Sequence, residues 1–349
     1  MKRTYLDWNA TTPLRDEARA AMIAAMDVVG NPSSVHFEGR AALGVVARAR
    51  AQVAAAFGAE GADVIFTASA TEAAALALAG KDLQCGAVEH DAVAAWCVAD
   101  LPVDNDGRVK VADPAKAALQ VANSETGVVQ ELPEGLALTD ATQAFGKLPF
   151  AFNWCGAEMA LISAHKLGGP KGVGALVVKR GSDVSAQVKG GGQEMGRRAG
   201  TENVIGIAGF GAAAEAAAAD LARGIWDEVA EIRKILEISL AESEKDTIFV
   251  GNGVARLPNT CCFALPGWKG ETQVMQMDLA GFAVSAGSAC SSGKVRASRV
   301  LQAMGFDDTI AASAIRVSIG PATTKEDVQR FAKAWGAAAK KFKARHGAG

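Results

Sequence analysis

Met159-Ala160-Leu161-Ile162-Ser163-Ala164-His165-Lys166 is an apolar run that stops on a hydroxyl, an imidazole and an amine. A short, continuous apolar run of this kind reads as a strand buried on both faces of a sheet. A second run upstream, Leu136 to Thr139, stops on Asp140, with Gln143 three residues further on. The pair suits a lysine held at the edge of a buried sheet to form an imine, because a lysine in a polar, partly desolvated cleft loses its proton near neutral pH and attacks an aldehyde. Pyridoxal phosphate supplies such an aldehyde. Its ring nitrogen needs a carboxylate, its phenolic oxygen a hydrogen-bond donor, and its phosphate hydroxyls and backbone amides. Asp140, Gln143, Ser163 and His165 have the chemistry for those tasks.

The alternation extends in both directions. The first 60 residues read as a strand at Tyr5 to Asp7, a Thr-Thr-Pro turn and two Ala-rich helices around Gly30-Asn31-Pro32, the second ending at Gly58. Val64 to Phe66 runs into Ser69-Ala70-Thr71-Glu72, a capped helix start that is equally a ready phosphate site. Ala117 to Ala122 reads as a strand ending at Asn123-Ser124-Glu125, and Val173 to Val178 as another. Apolar strands alternating with helices predict an α/β fold with a mostly parallel sheet, its ligand site at the carboxyl ends of the strands. A long helical region from about Ile207 to Glu244 leads to a smaller α/β domain with strands at Asn259 to Leu265 and Ile315 to Ile319 and a final helix. The expected division is a large domain over 13–245 and a small domain made of 1–12 and 246–349, the latter carrying the Cys290 loop.

Half of the 349 residues are hydrophobic, enough for a large core, and a net charge of −2 creates no attraction for nucleic acid or an anionic membrane, so neither is an expected partner. No apolar h-region follows Met1-Lys2-Arg3 and no segment is expected to span a bilayer, which makes the cytoplasm the expected location. Six cysteines lack C-x-x-C spacing, so no metal site is expected, and Cys85, Cys97, Cys155, Cys261 and Cys262 read as small packing residues. The glycines match neither a P-loop nor a dinucleotide fingerprint.

Further motifs each have a plainer reading beside the functional one. His90 is either a loop histidine or an imidazole stacked on a pyridine ring to move protons. Arg316, inside Ala314-Ile315-Arg316-Val317-Ser318, needs a carboxylate partner, with a substrate's carboxylate favoured. Gly190 to Glu194 with Arg197, Arg198, Gly200 and Thr201 is either a surface turn or an anion site. Cys290 stands among small polar residues beside Lys294 and Arg296, which favour its thiolate, and reads as a nucleophile that swings into the lysine cleft. A lysine flanked by glycines is equally a loop residue, and a strand-end Asp a helix cap.

Taken together, Tyr5-Leu6-Asp7-Trp8-Asn9-Ala10-Thr11-Thr12-Pro13, Gly30-Asn31-Pro32-Ser33-Ser34, Ala70-Thr71-Glu72, Glu89-His90, Asp140-Ala141-Thr142-Gln143, Ser163-Ala164-His165-Lys166, Arg198-Ala199-Gly200-Thr201, Gly287-Ser288-Ala289-Cys290 and Ile315-Arg316 resemble, in order and along nearly the whole chain, the NifS/IscS-like cysteine desulfurases of the class V aminotransferase family. The resemblance implies a fold-type I pyridoxal-phosphate homodimer with Lys166 as the Schiff-base lysine, Asp140 at the pyridine nitrogen, Gln143 at the phenolic oxygen and His90 on the ring. Ala70, Thr71, Ser163 and His165 would hold the phosphate, and Thr201 would reach that of the neighbouring subunit. Arg316, with Asn31, would bind the substrate carboxylate. Cys290 would take sulfur from L-cysteine as a persulfide, leaving alanine, for an acceptor in iron-sulfur assembly or tRNA thiolation. Ser124 stands where family members commonly carry Asn and is expected to touch cofactor or substrate in its place. A selenocysteine lyase, a small-amino-acid aminotransferase and a catalytically silent scaffold are the alternatives.

Overall fold

A computed structural model of the chain describes residues 3–287 and 297–346. Strands β1 (Asp63–Thr67), β2 (Ala118–Gln120), β3 (Leu138–Asp140), β4 (Met159–Ser163) and β5 (Gly174–Val178) form one sheet in the order β1-β5-β4-β3-β2. β2, β3 and β4 pair in parallel, and β5 runs against both of its neighbours. Four of the five strands therefore point the same way, as the apolar runs predict. β4 and β5 are buried throughout because alternate side chains enter two different cores: Ala160, Ile162, Ala175 and Val177 one, Met159, Leu161, Leu176 and Val178 the other.

Helices cover both faces. α1 (Asp16–Met26) and α2 (Phe37–Ala56) bring Ala18, Val46, Ala49 and Val53 to the first core, and α3 (Ala70–Leu78) brings Ala73, Leu76 and Leu78 to the second. The long helix expected from Ile207 to Glu244 is two helices, α4 (Val204–Ala222) and α5 (Ile225–Ser243). Gly224 between them has φ of 76°, a left-handed value that ends a helical hydrogen-bond ladder. By length and composition α4 could cross a membrane, contrary to the expectation that no segment could. In the fold its Ile207, Phe210, Ala213 and Ala217 are buried in the first core.

β6 (Ile248–Phe249), β7 (Thr260–Ala264), β8 (Ser285–Ala286) and β9 (Ala314–Ser318) form an antiparallel sheet in the order β8-β9-β7-β6. With α6 (Gly270–Leu279) and α7 (Lys325–His346) they surround Phe263, Trp268, Phe331 and Trp335. Two outlying pieces join this core: Leu6, because Thr4–Tyr5 pairs in parallel with Phe282–Ala283, and the Trp226, Val229, Leu236 and Leu240 face of α5. The N-terminal segment then crosses to the first sheet, where Thr12 N–H donates to the His165 carbonyl at 2.9 Å. The carboxyl ends of β1 to β4 open on one edge, and this segment and β9 bound it.

Phe57 is fully buried, with the Phe145, Phe150 and Phe152 rings 4.8, 5.1 and 6.1 Å away. Phe57→Ala lowers unfolding free energy by about 3–5 kcal/mol, read from the chemical-denaturation midpoint; an unmoved midpoint would contradict this packing.

Candidate active site

Lys166 ends a single 3₁₀ turn, Ala164–Lys166, directly after β4. Its Nζ donates to the carbonyls of Asn9 at 2.6 Å and Ala10 at 2.9 Å. Gln143 Nε2 donates to the same Asn9 carbonyl at 3.0 Å, while its Oε1 accepts from Lys147 Nζ at 2.9 Å. Asp140 is the last residue of β3, paired in register with Leu161 of β4 and Gln120 of β2, and its Oδ1 accepts the Thr142 N–H at 2.9 Å. Because neighbouring strands lie about 4.8 Å apart, amine, carboxylate and amide gather at one edge, as the two apolar runs predict.

His165 sits between two chemical roles. Its Nδ1 is 3.2 Å from Thr11 Oγ1, and burial, reinforced by Lys166, Lys171 and Lys147, lowers its pKa to about 4, so the ring is neutral near pH 7. A cavity of about 340 Å³ beside it is lined by Thr11, Ser69, Ser163, Lys171 and Gly172. This cavity meets the start of α3, whose N-cap Ser69 accepts the Glu72 N–H at 3.2 Å. A Cβ at Gly174 would stand 2.9 Å from the Ala70 nitrogen, so only glycine lets β5 pass the first turn of α3. Ala70 opens that helix and Thr71 is exposed on its first turn. Thr201 is exposed and lines an adjoining cavity with Ala68 and Gly172.

The larger cleft, about 630 Å³, is bounded by Asn9, His90, Ser124, Glu125, Lys166 and Arg316. His90 caps the short helix Asp91–Ala94, its Nδ1 accepting the Ala92 N–H at 3.1 Å, which leaves the proton of the neutral ring on Nε2. Glu89 beside it is buried, and burial with Asp140 nearby pushes its carboxyl well above the usual range. Glu125 is also buried, and burial raises its pKa to about 7.

The carboxylate that pairs with Arg316 is the chain's own: Nη2 donates to Asp7 Oδ1 at 2.7 Å and Nη1 to the Ser124 carbonyl at 2.9 Å. Asp7 is thus the counter-charge of Arg316 within the chain, and Arg316, whose Nε is buried with no partner among the described residues, also lines the cleft. The loop cations are engaged as well. Arg197 pairs with Asp63 at 2.9 Å, Arg198 with Glu72 at 2.8 Å, and Glu194 with Arg50 at 2.7 and 2.8 Å, so the anion-site reading of this loop loses its free charges. Asn31 is exposed, its Oδ1 accepting the Ser33 N–H at 2.9 Å, and does not line the cleft. Cys290, with Lys294 and Arg296, lies outside the described residues; Gly287 and Ala297 on either side of that stretch line the cleft.

Sequence reasoning assigned no task to Asn9, Asp7, Lys147, Glu89 or Glu125. The one local signal was the spacing of Lys147 four residues after Gln143, which puts both on one side of a turn.

The family profile described as Aminotransferase class-V matches residues 4–331. A cysteine desulfurase of Cereibacter sphaeroides is 39% identical over 95% of this chain and 94% of its own length. The cysteine desulfurase IscS of Dictyoglomus turgidum is 37% identical over 94% of this chain and 92% of its own. Among solved structures, a NifS-like protein from Rickettsia africae superposes with a TM-score of 0.87 at 30% identity, covering 97% of this chain and 99% of that one.

A His165 pKa near 4 against 6.5 for an ordinary histidine means that the unfolded chain binds a proton first. This component of stability is complete above pH 6.5 and is lost as pH falls toward 4. Denaturation midpoints measured across that window should fall less for His165→Gln than for the parent; equal acid sensitivity would show the ring to be solvated.

Proposed function

Because the chain belongs to the class-V aminotransferase family, we propose that it is a cysteine desulfurase that uses pyridoxal 5'-phosphate to convert L-cysteine to L-alanine and passes the sulfur to Cys290. The observation that carries the reading is the meeting of Lys166 and Gln143 on one carbonyl, beside Asp140 and in a cleft that His90 and Arg316 also line.

The donor set fits the cofactor. It contains a lysine amine, a strand-end carboxylate, an amide with a hydrogen to spare, and a cavity with two serines at a helix N-terminus. Pyridoxal phosphate bound there supplies an aldehyde and an electron sink at the α-carbon of an amino acid. Lys166 would hold the aldehyde carbon, and Asp140 would keep a proton on the ring nitrogen. Gln143 and the Ser124 hydroxyl would donate to the ring oxygen, and His90 would cover the ring. Ala70, Thr71, Ser163 and His165 would hold the phosphate, His165 as a neutral donor because of its lowered pKa.

Arg316 would bind the substrate carboxylate, already aimed by Asp7 and the Ser124 carbonyl. The Cys290 thiolate then attacks the substrate sulfur: an S–S bond forms, the C–S bond breaks, and the bonding pair stays with carbon, which takes a proton to become alanine. The persulfide is the form in which sulfur leaves for an acceptor, an iron-sulfur scaffold or a thiolation factor. The working unit is a homodimer in the cytoplasm, with Thr201 and Asn31 completing the neighbour's site. Exposed Ile23 and Met26 at the end of α1, Val29 and Val35 in the connection after it, and Phe37 at the start of α2 support such an interface.

Incubation with L-cysteine should release alanine and leave sulfane sulfur on the wild-type protein, while Lys166→Ala and Cys290→Ser each lose both products by at least about a hundredfold, the scale of losing a reacting group. Equal alanine release by all three proteins would overturn the assignment.

A further inference from the structure

Lys147 is 1% exposed, and its Nζ has one hydrogen-bond partner among the described residues, Gln143 Oε1 at 2.9 Å. Burying an amine is unfavourable unless its polar group is satisfied, and a hydrophobic side chain of that length would fill the space more cheaply. The reason to have one lies at the other end of the amide. The Asn9 carbonyl can only accept, so Gln143 must turn Nε2 toward it and Oε1 away from it, toward Lys147. Nε2 has two hydrogens, and Asn9 takes one. Lys166 Nζ shares that same carbonyl, so the second amide hydrogen stands beside the amine that would carry the cofactor.

We propose that Lys147 is a positioning residue for the cofactor's ring oxygen, clamping Gln143 from below so that the spare Nε2–H faces that oxygen; the inference rests on the cofactor reading above. The charges around Lys147 agree with this placement. Burial, followed by the cations Lys166 and Arg316, lowers its pKa to about 7, and no described carboxylate pairs with it, Asp7 being committed to Arg316. A negative ring oxygen beside Gln143 reverses that balance and favours the ammonium form, whose N–H binds Oε1 more strongly and polarises the amide toward the oxygen. Cofactor uptake near pH 7 therefore draws a proton onto Lys147.

Visible-absorbance titration of the apo protein with pyridoxal phosphate tests this in wild type, Lys147→Met, Gln143→Met and the double variant. Lys147→Met should weaken binding by about tenfold, the weight of one hydrogen bond, and shift the pH midpoint of the bound chromophore upward. The double variant should bind no more weakly than Gln143→Met. Additive losses with an unmoved chromophore midpoint would make Lys147 merely structural and overturn the inference. Wild-type protein that takes up no pyridoxal phosphate overturns the functional reading itself, whereas normal uptake by Lys147→Met overturns only the inference. The apo protein gives an independent reading: its stability should rise between pH 7 and 10.5, because the unfolded chain holds a lysine proton that the folded chain has released. Lys147→Met should abolish that rise, and its persistence would also overturn the placement.

Discussion

Asn9 is the residue on which the cleft hangs. It is 1% exposed, and each of its polar groups is engaged. Its backbone N–H donates to Ser318 Oγ at 2.9 Å, Nδ2 donates to Thr260 Oγ1 at 2.8 Å and to the Ser124 carbonyl at 3.2 Å, and Oδ1 accepts from Asn259 Nδ2 at 2.9 Å. Its own carbonyl takes Lys166 and Gln143. Ser318 and Thr260 belong to β9 and β7 of the second sheet, whereas Lys166 and Gln143 follow strands of the first. A buried polar group left unmatched costs about 1–3 kcal/mol, so this network holds only when both cores are docked. The lysine is thereby aimed by residues from four remote stretches of chain, at Asn9, Ser124, Asn259 to Thr260 and Ser318.

Around this node the charges are sorted by sign. Arg316, Arg197 and Arg198 are matched by Asp7, Asp63 and Glu72. Among the described residues Lys147 meets a neutral amide, Lys171 lines the serine-bearing cavity, and His165 is held neutral by burial among cations. These lysines would favour a phosphate, a phenolate and an amino acid carboxylate, and burial increases the effect because a low dielectric weakens screening. Burial raises the carboxyls of Glu89 and Glu125, which lessens the negative charge they bring to this space below neutrality.

Much of this architecture is legible in the sequence because each main strand is short, apolar and closed by a polar residue. The runs ending at Asp140 and Ser163 correspond to β3 and β4, and the Ser69 hydroxyl is the cap of α3. A single glycine defeated periodicity at residue 224, since helix-forming sequence on both sides reads as one helix and the left-handed backbone angle separates α4 from α5. Partners distant in sequence were the other gap. Arg316 announced the need for a carboxylate, but nothing local identifies Asp7, 309 positions away, as the one that meets it. Lys147 likewise looks like an ordinary exposed lysine until its burial is seen.

The account depends on the identity of one amine, and trapping tests it most directly. Apo protein loaded with pyridoxal phosphate, reduced with borohydride and digested should carry the reduced cofactor on the peptide containing Lys166, at one per chain. A label on Lys147 or Lys171, or no label at all, would contradict the site described.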